Sequence, residues 1–176
     1  AKVDADFSVD CNKYNFVTVG RLAYEKGYDI LLDFFSQVVK QRQDVHLYFI
    51  GDGDEKEKLV SQADSLGISD FISFLGNQPN PFPYEKLMDG FVLTSRYEGQ
   101  GIVIWEAKAL GLSVFISKNL EKYNDGVTGY SDIVAAMCSA HKKNKVPDSL
   151  TDYNDNIRQS VNRLFGCESN SKCEAG

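Results

Sequence analysis

Long apolar runs are missing from this sequence. None approaches the roughly 20 residues that a membrane-spanning helix needs, so no segment reads as one. The opening residues, Ala1-Lys2-Val3-Asp4-Ala5-Asp6, lack the apolar centre of a secretion signal. They also lack an initiating Met, which leads us to expect a piece of a longer or processed chain. Histidine is scarce: His46 and His141 stand far apart. The four cysteines, Cys11, Cys138, Cys167 and Cys173, form no C-x-x-C pair. A structural zinc site is therefore not expected, and free thiols in a reducing cytoplasm are. Cys167 and Cys173 lie in a polar tail that is expected to be loose, where they could pair. Positive charge is in deficit, 19 Lys and Arg against 25 Asp and Glu, for a net charge of −6. A broad nucleic-acid surface is excluded on that balance, because such binding neutralises many phosphates. A small anion held by one or two cations is not.

The remaining composition is that of a globular chain. Apolar residues make up 43% of 176, with 11 Phe and 9 Tyr, enough for one domain with a core. Apolar runs and helical patterns alternate. Phe16 to Val19 is a first strand ending at Gly20, and 29–42 carries apolar residues at helical spacing. Residues 46–50 form a second strand stopped by Gly51-Asp52-Gly53. A charged helix over 55–66 follows, capped by Gly67. Residues 71–75 form a third strand, and 77–83, with three prolines, a loop. A helical turn over 84–88 leads to a fourth strand over 90–93. A helix over 102–110 stops at Gly111, and a fifth strand spans 113–116. Residues 125–129 read as a turn, 131–143 as a helix, and 153–165 as a last amphipathic helix.

Short continuous apolar strands separated by helices predict an α/β fold. The sheet is Rossmann-like, parallel and doubly wound, with helices on both faces. We expect residues 1–14 as a linker or edge segment, 15–166 as the ligand-binding domain and 167–176 as a flexible tail. In such sheets the ligand sits at the carboxyl ends of the strands, where the strand order reverses. With the order 3-2-1-4-5, that point lies between the first and fourth strands. The loops 20–27 and 94–101 then face it.

Both loops are chemically unusual. In the first, Gly20 ends the strand, and Arg21 and Lys26 follow five residues apart. A forked guanidinium and a point-charge ammonium suit a diphosphate. In the second, Gly99 and Gly101 bracket Gln100 just before a helix. Backbone amides can approach a phosphate closely there, and the helix N-terminus favours its charge. Glu98 lies in the loop, and Glu106 lies amid Val103, Ile104, Trp105 and Ala107 in the helix. A carboxylate beside a sugar or ribose accepts hydrogen bonds from hydroxyl pairs. The alternative for Glu106 is a plain exposed helix position.

Four features in order carry a resemblance. They are Gly20-Arg21 with Glu25-Lys26-Gly27, Gly51-Asp52-Gly53, Phe74-Leu75-Gly76, and Glu98 with Glu106 in Glu-x7-Glu spacing, followed by Ala107, Ala109 and Gly111. From about Asn15 to Phe165 the chain resembles the C-terminal, donor-binding domain of family 4 glycosyltransferases, which have the two-domain GT-B fold. The resemblance implies a retaining glycosyltransferase that moves a hexose from a nucleotide-sugar, UDP-linked by preference, to an acceptor hydroxyl. It implies that Arg21 and Lys26 bind the donor diphosphate and stabilise the departing nucleotide, and that Glu98 contacts donor-sugar hydroxyls. These three form the expected catalytic set. Gly99, Gln100 and Gly101 would offer backbone amides, and Glu106 would hold the ribose hydroxyls. Gly20 and Ile102 complete the donor-binding set. No metal or other cofactor is implied.

Two departures leave the charged groups intact: Gln100 stands where many members carry Phe, and Leu112-Ser113 replaces a common Pro. The stretch Asn80 to Tyr84 and the Glu-Gly-Gln-Gly loop look like members that glycosylate cell-envelope polymers. The resemblance also implies a partner, the N-terminal acceptor domain of the same enzyme, without which turnover would be weak. The last helix, 153–165, resembles the segment that packs back toward that domain. The expected compartment is the cytoplasm, with any peripheral membrane contact running through that other domain.

Asp52-Gly53-Asp54 reads as D-x-D, a metal motif in another glycosyltransferase fold. Placed after the second strand, it reads better as a turn and helix cap, away from the crevice. Gly51-x-Gly53 lacks the third glycine of a dinucleotide fingerprint, since Lys56 stands there. Rival readings are a GT-B epimerase or phosphorylase and a non-catalytic nucleotide-sugar-binding module. A flavodoxin-like signalling domain would place acidic residues where Arg21 and Lys26 stand.

Overall fold

The structure is a computed structural model, and it describes residues 7–97, 101–124 and 126–142. Residues 1–143 form one compact unit, and a second unit, 144–176, lies outside the described residues. The helix expected over 153–165 and the tail expected from 167 fall in that second unit.

Among the described residues, six strands form one parallel sheet: β1 (Tyr14–Val19), β2 (Val45–Ile50), β3 (Ile72–Phe74), β4 (Gly90–Leu93), β5 (Ser113–Ser117) and β6 (Gly129–Tyr130). Their order is β3-β2-β1-β4-β5-β6, every pair parallel. The chain builds outward from β1 to β3, returns to the other side of β1 with β4, and builds outward again. The reversal lies between β1 and β4, as the sequence pattern predicts.

The helices are α1 (Tyr28–Gln41), α2 (Lys56–Leu66), α3 (Phe82–Glu85), α4 (Ile102–Ala109) and α5 (Ile133–Cys138). Successive strand residues point to opposite faces, so a parallel strand must be apolar throughout. Phe16 and Val17 show the consequence. Phe16 joins one core with Leu31 and Phe35 of α1, Leu59 of α2 and Met137 of α5. Val17 joins the other with Tyr84 of α3 and with Ile104 and Ala107 of α4. The sheet is therefore covered on both faces. Phe7 packs edge-on against Tyr48 and Tyr84, which ties the segment before β1 to the second core.

Three expectations need correction. Residues 125–129 are not only a turn, because Gly129 starts a sixth strand paired as Ile116↔Gly129 and Ser117↔Tyr130. The loop ends earlier than expected: Pro81 is the N-cap of α3, and Asn80 Oδ1 accepts a hydrogen bond from the Phe82 amide at 3.2 Å. The helix expected over 131–143 is the shorter α5. Asp132 caps its N-terminus by accepting from the Ala135 amide at 2.9 Å. Beyond its end, Arg42 donates to the carbonyls of Cys138 and Ala140 at 3.1 and 2.7 Å. Those carbonyls are satisfied from α1's end, so the helix need not continue.

Candidate functional site

The loop after β1 is fastened on both sides by backbone. Toward β2, the Leu22 amide donates to the Asp52 carbonyl at 3.0 Å, and the Glu55 amide donates to the Leu22 carbonyl at 3.1 Å. Gly51 makes this docking possible. Its φ is 141°, and a β-carbon there would collide with the Gly20 carbonyl oxygen. The Gly51 amide in turn donates to the Gly76 carbonyl at 2.8 Å, linking the ends of β2 and β3. Toward β4, the Arg96 amide donates to the Glu25 carbonyl at 2.9 Å. Thr94 Oγ1 donates to the Gly27 carbonyl at 2.9 Å. Gly27 has φ 62°, the left-handed region that glycine enters at no cost, and any side chain would strike the Thr94 carbonyl.

The loops after β1, β2 and β3 border a cleft of about 610 Å³ at the carboxyl ends of those strands, within the ordinary size of a small-molecule site. Val19, Gly20 and Arg21 line it from β1, Ile50, Gly51 and Asp52 from β2, and Asn77, Gln78 and Pro81 from the loop after β3. Asp52 lines this cleft, which lies on the β2 and β3 side of β1 rather than between β1 and β4. Its carboxylate accepts from the Gly53 amide at 2.9 Å, a turn contact. The helix-cap part of the expectation fails, because no side chain caps α2, whose N-cap is Glu55. Among the described residues, no group of three or more His, Cys, Asp or Glu is placed to share a metal ion.

Arg21 borders the cleft with its side chain 69% exposed, paired to Glu25 Oε1 at 2.7 Å. Glu25's own backbone amide, and then Arg21, hold its carboxyl below the usual range. Such an exposed pair is worth little, so Arg21 can exchange this partner for an anion. Lys26 lies along Gly20: a β-carbon on Gly20 would be 3.6 Å from Lys26 Cε. The structure therefore brings Gly20, Arg21 and Lys26 to one place.

On the other side of the reversal point, Gly101 is the N-cap of α4, and among the described residues no side chain caps that helix. Asn124 packs under it: a β-carbon on Gly101 would be 2.8 Å from Asn124 Oδ1. Asn124 is 2% exposed, and its Oδ1 has no hydrogen-bond partner among the described residues, whereas its Nδ2 donates to the Leu120 carbonyl at 2.8 Å. Ile102 is exposed. Glu106 is half-buried on α4, and burial raises its carboxyl pKa, so it is not a plain exposed position. Gly101, Ile102 and Glu106 are not among the residues that line the cleft. Glu98, Gly99 and Gln100 lie outside the described residues.

Two residues that the sequence reading left without a role are prominent here. Arg96 clamps the first loop. Its Nη1 and Nη2 meet Asp29 Oδ1 and Oδ2 at 2.7 and 2.6 Å, Nη1 also donates to the Tyr24 carbonyl at 2.9 Å, and its guanidinium lies 4.1 Å from the Tyr24 ring centre. The Arg96 contact holds the Asp29 carboxyl below the usual carboxylate range. Glu85, at the end of α3, is 2% exposed. Burial, and then the charge of Glu106, push its carboxyl up to about 7. The only sequence signal for either was an ionisable residue at a strand end or in an apolar turn.

Comparison with known proteins gives a consistent result. The family model described as "Glycosyl transferases group 1" matches residues 3–136. The lipopolysaccharide core biosynthesis glycosyltransferase LpsD of Rhizobium meliloti is 31% identical over 114 residues, 65% of this chain and 32% of that relative. The chain spans a third or less of the length of the first curated relatives it matches. Two crystal structures share the fold. A mutant S. aureus TarM, in complex with fondaparinux, alpha-GlcNAc-glycerol and UDP, superposes with TM-score 0.70 at 19% identity, covering 94% of this chain and 35% of that one. The C-terminal domain of the group 1 family glycosyl transferase LpcC from Francisella tularensis gives TM-score 0.62 at 19% identity, covering 88% and 87%. With its open parallel sheet matching a Rossmann-like half of GT-B enzymes, the chain belongs to the group 1 glycosyltransferases.

Proposed function

We propose that this chain is the donor-binding half of a retaining, family 4 glycosyltransferase, and that it holds a nucleotide-sugar at the reversal point between β1 and β4. The observation that carries this reading is the convergence of Gly20, Arg21 and Lys26 beside a cleft at the carboxyl ends of the strands. Arg21 and Lys26 take the diphosphate. When the bond between the sugar's anomeric carbon and the diphosphate oxygen breaks, negative charge grows on that oxygen, and these two cations stabilise it. Glu106 accepts the ribose hydroxyls from its half-buried place on α4. Gly101 and Ile102 present amides at the start of α4, and the resemblance gives Gly99 and Gln100 the same part. Glu98 contacts the sugar, a role that rests on its Glu-x7-Glu spacing to Glu106.

We assign the donor as a UDP-linked hexose. The UDP held by TarM supports that base, and the lipopolysaccharide role of LpsD supports a cell-envelope acceptor. The acceptor site and most of the turnover belong to an N-terminal domain. Neither metal nor cofactor is needed, because the two cations do the work a metal does elsewhere. The working compartment is the cytoplasm. None of the described helices is long and apolar enough to cross a membrane.

Calorimetric titration with UDP, GDP, ADP and CDP, with magnesium and with chelator, tests the reading. One nucleotide binds saturably and without metal. Replacing Arg21 and Lys26 by Ala weakens it by about 10- to 100-fold per cation, the size of a charge-assisted contact. Unchanged affinity in the double variant would show that the diphosphate sits elsewhere.

A further inference from the structure

Asn124 holds a buried acceptor that no described residue uses. It follows the 3-10 turn Lys118–Tyr123 after β5 and is 2% exposed. Its other polar groups are all engaged. Its backbone amide donates to the Glu121 carbonyl at 3.1 Å, and its backbone carbonyl accepts from the Val127 amide at 3.1 Å. Nδ2 donates to the Leu120 carbonyl at 2.8 Å. That bond fixes which way the side-chain amide points, because only its nitrogen can donate to a carbonyl. Oδ1 therefore faces Gly101, and it has no partner among the described residues.

Gly101 is the N-cap of α4. The amides that open a helix have no partner inside it, and among the described residues no side chain caps these. The Ile104 amide, further along, already donates to the Gly101 carbonyl at 2.9 Å. A β-carbon on Gly101 would stand 2.8 Å from Asn124 Oδ1 and 2.8 Å from Ile104 Cδ1, so only glycine lets the turn lie this close to the oxygen. The fold thus sets helix-opening donors and an unpaired acceptor side by side without bonding them to each other. A phosphate oxygen can share the amides, but it has no proton for Oδ1. A hydroxyl suits both, because its oxygen accepts from an amide while its proton goes to a carbonyl.

We propose that Asn124 is a specificity-determining residue for the donor's hexose: a sugar hydroxyl accepts from the amide of Gly101 or Ile102 and donates to Asn124 Oδ1. The proposal rests on the nucleotide-sugar reading given above and divides that site by chemistry. The diphosphate belongs to Arg21 and Lys26, and a neutral hydroxyl takes the place between Gly101 and Asn124. A bare helix N-terminus favours an anion. The Asn124 oxygen beside it offsets that preference and favours a group that can give a proton as well as accept one. Because Oδ1 is closed off from bulk water, a hydroxyl that reaches it gains a bond that water does not already make.

The test uses the 176-residue chain and compares each nucleotide with its hexose derivative: UDP with UDP-glucose, and GDP with GDP-mannose. In the nitrogen–proton spectrum, the side-chain amide of Asn124, assigned through its own β-carbon, moves when the nucleotide-sugar is added. The nucleotide alone shifts backbone amides at the start of α4 and leaves that side chain in place. By calorimetry, Asn124→Leu, which keeps the volume and removes the acceptor, weakens the nucleotide-sugar by about 3- to 10-fold, the size of one hydrogen bond, and changes the nucleotide by less than about twofold. A side-chain signal that answers nucleotide and nucleotide-sugar alike, or answers neither, would overturn the proposal and leave the donor site standing. Equal losses for the two ligands in the Leu variant, or none, would do the same. No binding by any of the four ligands would overturn both readings.

Discussion

Arg21 keeps its guanidinium on Glu25 in the open, while Glu85 keeps its carboxyl in the core. Solvent decides the difference. The exposed pair costs little to break and is suited to exchange. The buried acid cannot ionise cheaply, and that has a consequence for stability that needs no ligand. For an acid whose folded pKa is raised, stability is full below the unfolded value of 4.5 and is lost as pH climbs to the folded value of about 7. We expect Glu85→Gln to equal the unaltered chain near pH 4.5 and to exceed it at pH 8 by up to about 3 kcal/mol, by urea unfolding at both pH values. His46 acts in the opposite direction. Burial, and then the charge of Lys13, hold its ring down to about 4, and it is bonded to Ser73 at 2.9 Å. Stability from that group is full above pH 6.5 and is lost as pH falls toward 4. Comparing variant with parent at each pH isolates Glu85.

The elements place these groups through backbone contacts rather than through side chains alone. The loop from Gly20 to Gly27 owes its shape to Gly51 on one side and to Arg96 and Thr94 on the other. Gly51→Ala forces its new β-carbon into the Gly20 carbonyl and strains a φ of 141°. It is expected to cost about 2 kcal/mol or more, by thermal or urea unfolding, and to weaken nucleotide binding although it removes no charge. Arg96→Ala removes a forked pair and a ring contact that are partly exposed. The expected loss is about 1–2 kcal/mol of stability, with nucleotide affinity falling because Arg21 and Lys26 are no longer held in place. Unchanged affinity in Arg96→Ala would show that the loop holds its shape without the clamp.

Why some of this was legible beforehand follows from where the signal lies. The strands from β1 to β5 are predominantly apolar and most stop at or follow a glycine, and α1 carries Leu31, Leu32, Phe35, Val38 and Val39 on one stripe, so local pattern sufficed. Residues 129–130 are too short to show a period, and they become a strand only by pairing with β5. Arg96 finds Asp29 from 67 positions away. Glu85 is buried through contacts that no local window contains. Gly51-Asp52-Gly53 was visible as a motif, but its role in closing the cleft depends on the neighbouring loop.

At the scale of the whole molecule, a doubly wound sheet leaves one place where loops from adjacent strands part, and the loop after β1 that carries Arg21 and Lys26 borders it. The central claim is that the donor's diphosphate occupies that place. Amide chemical-shift mapping during titration with UDP and GDP tests it most directly. The account predicts that the shifts concentrate at Gly20, Arg21 and Lys26, at Gly51 and Gln78 across the cleft, and at Gly101 and Ile102 at the start of α4. The sheet's opposite end, around Tyr14 and Val45, stays unchanged. Shifts confined to that opposite end, or to the outer faces of α1 and α2, would contradict it.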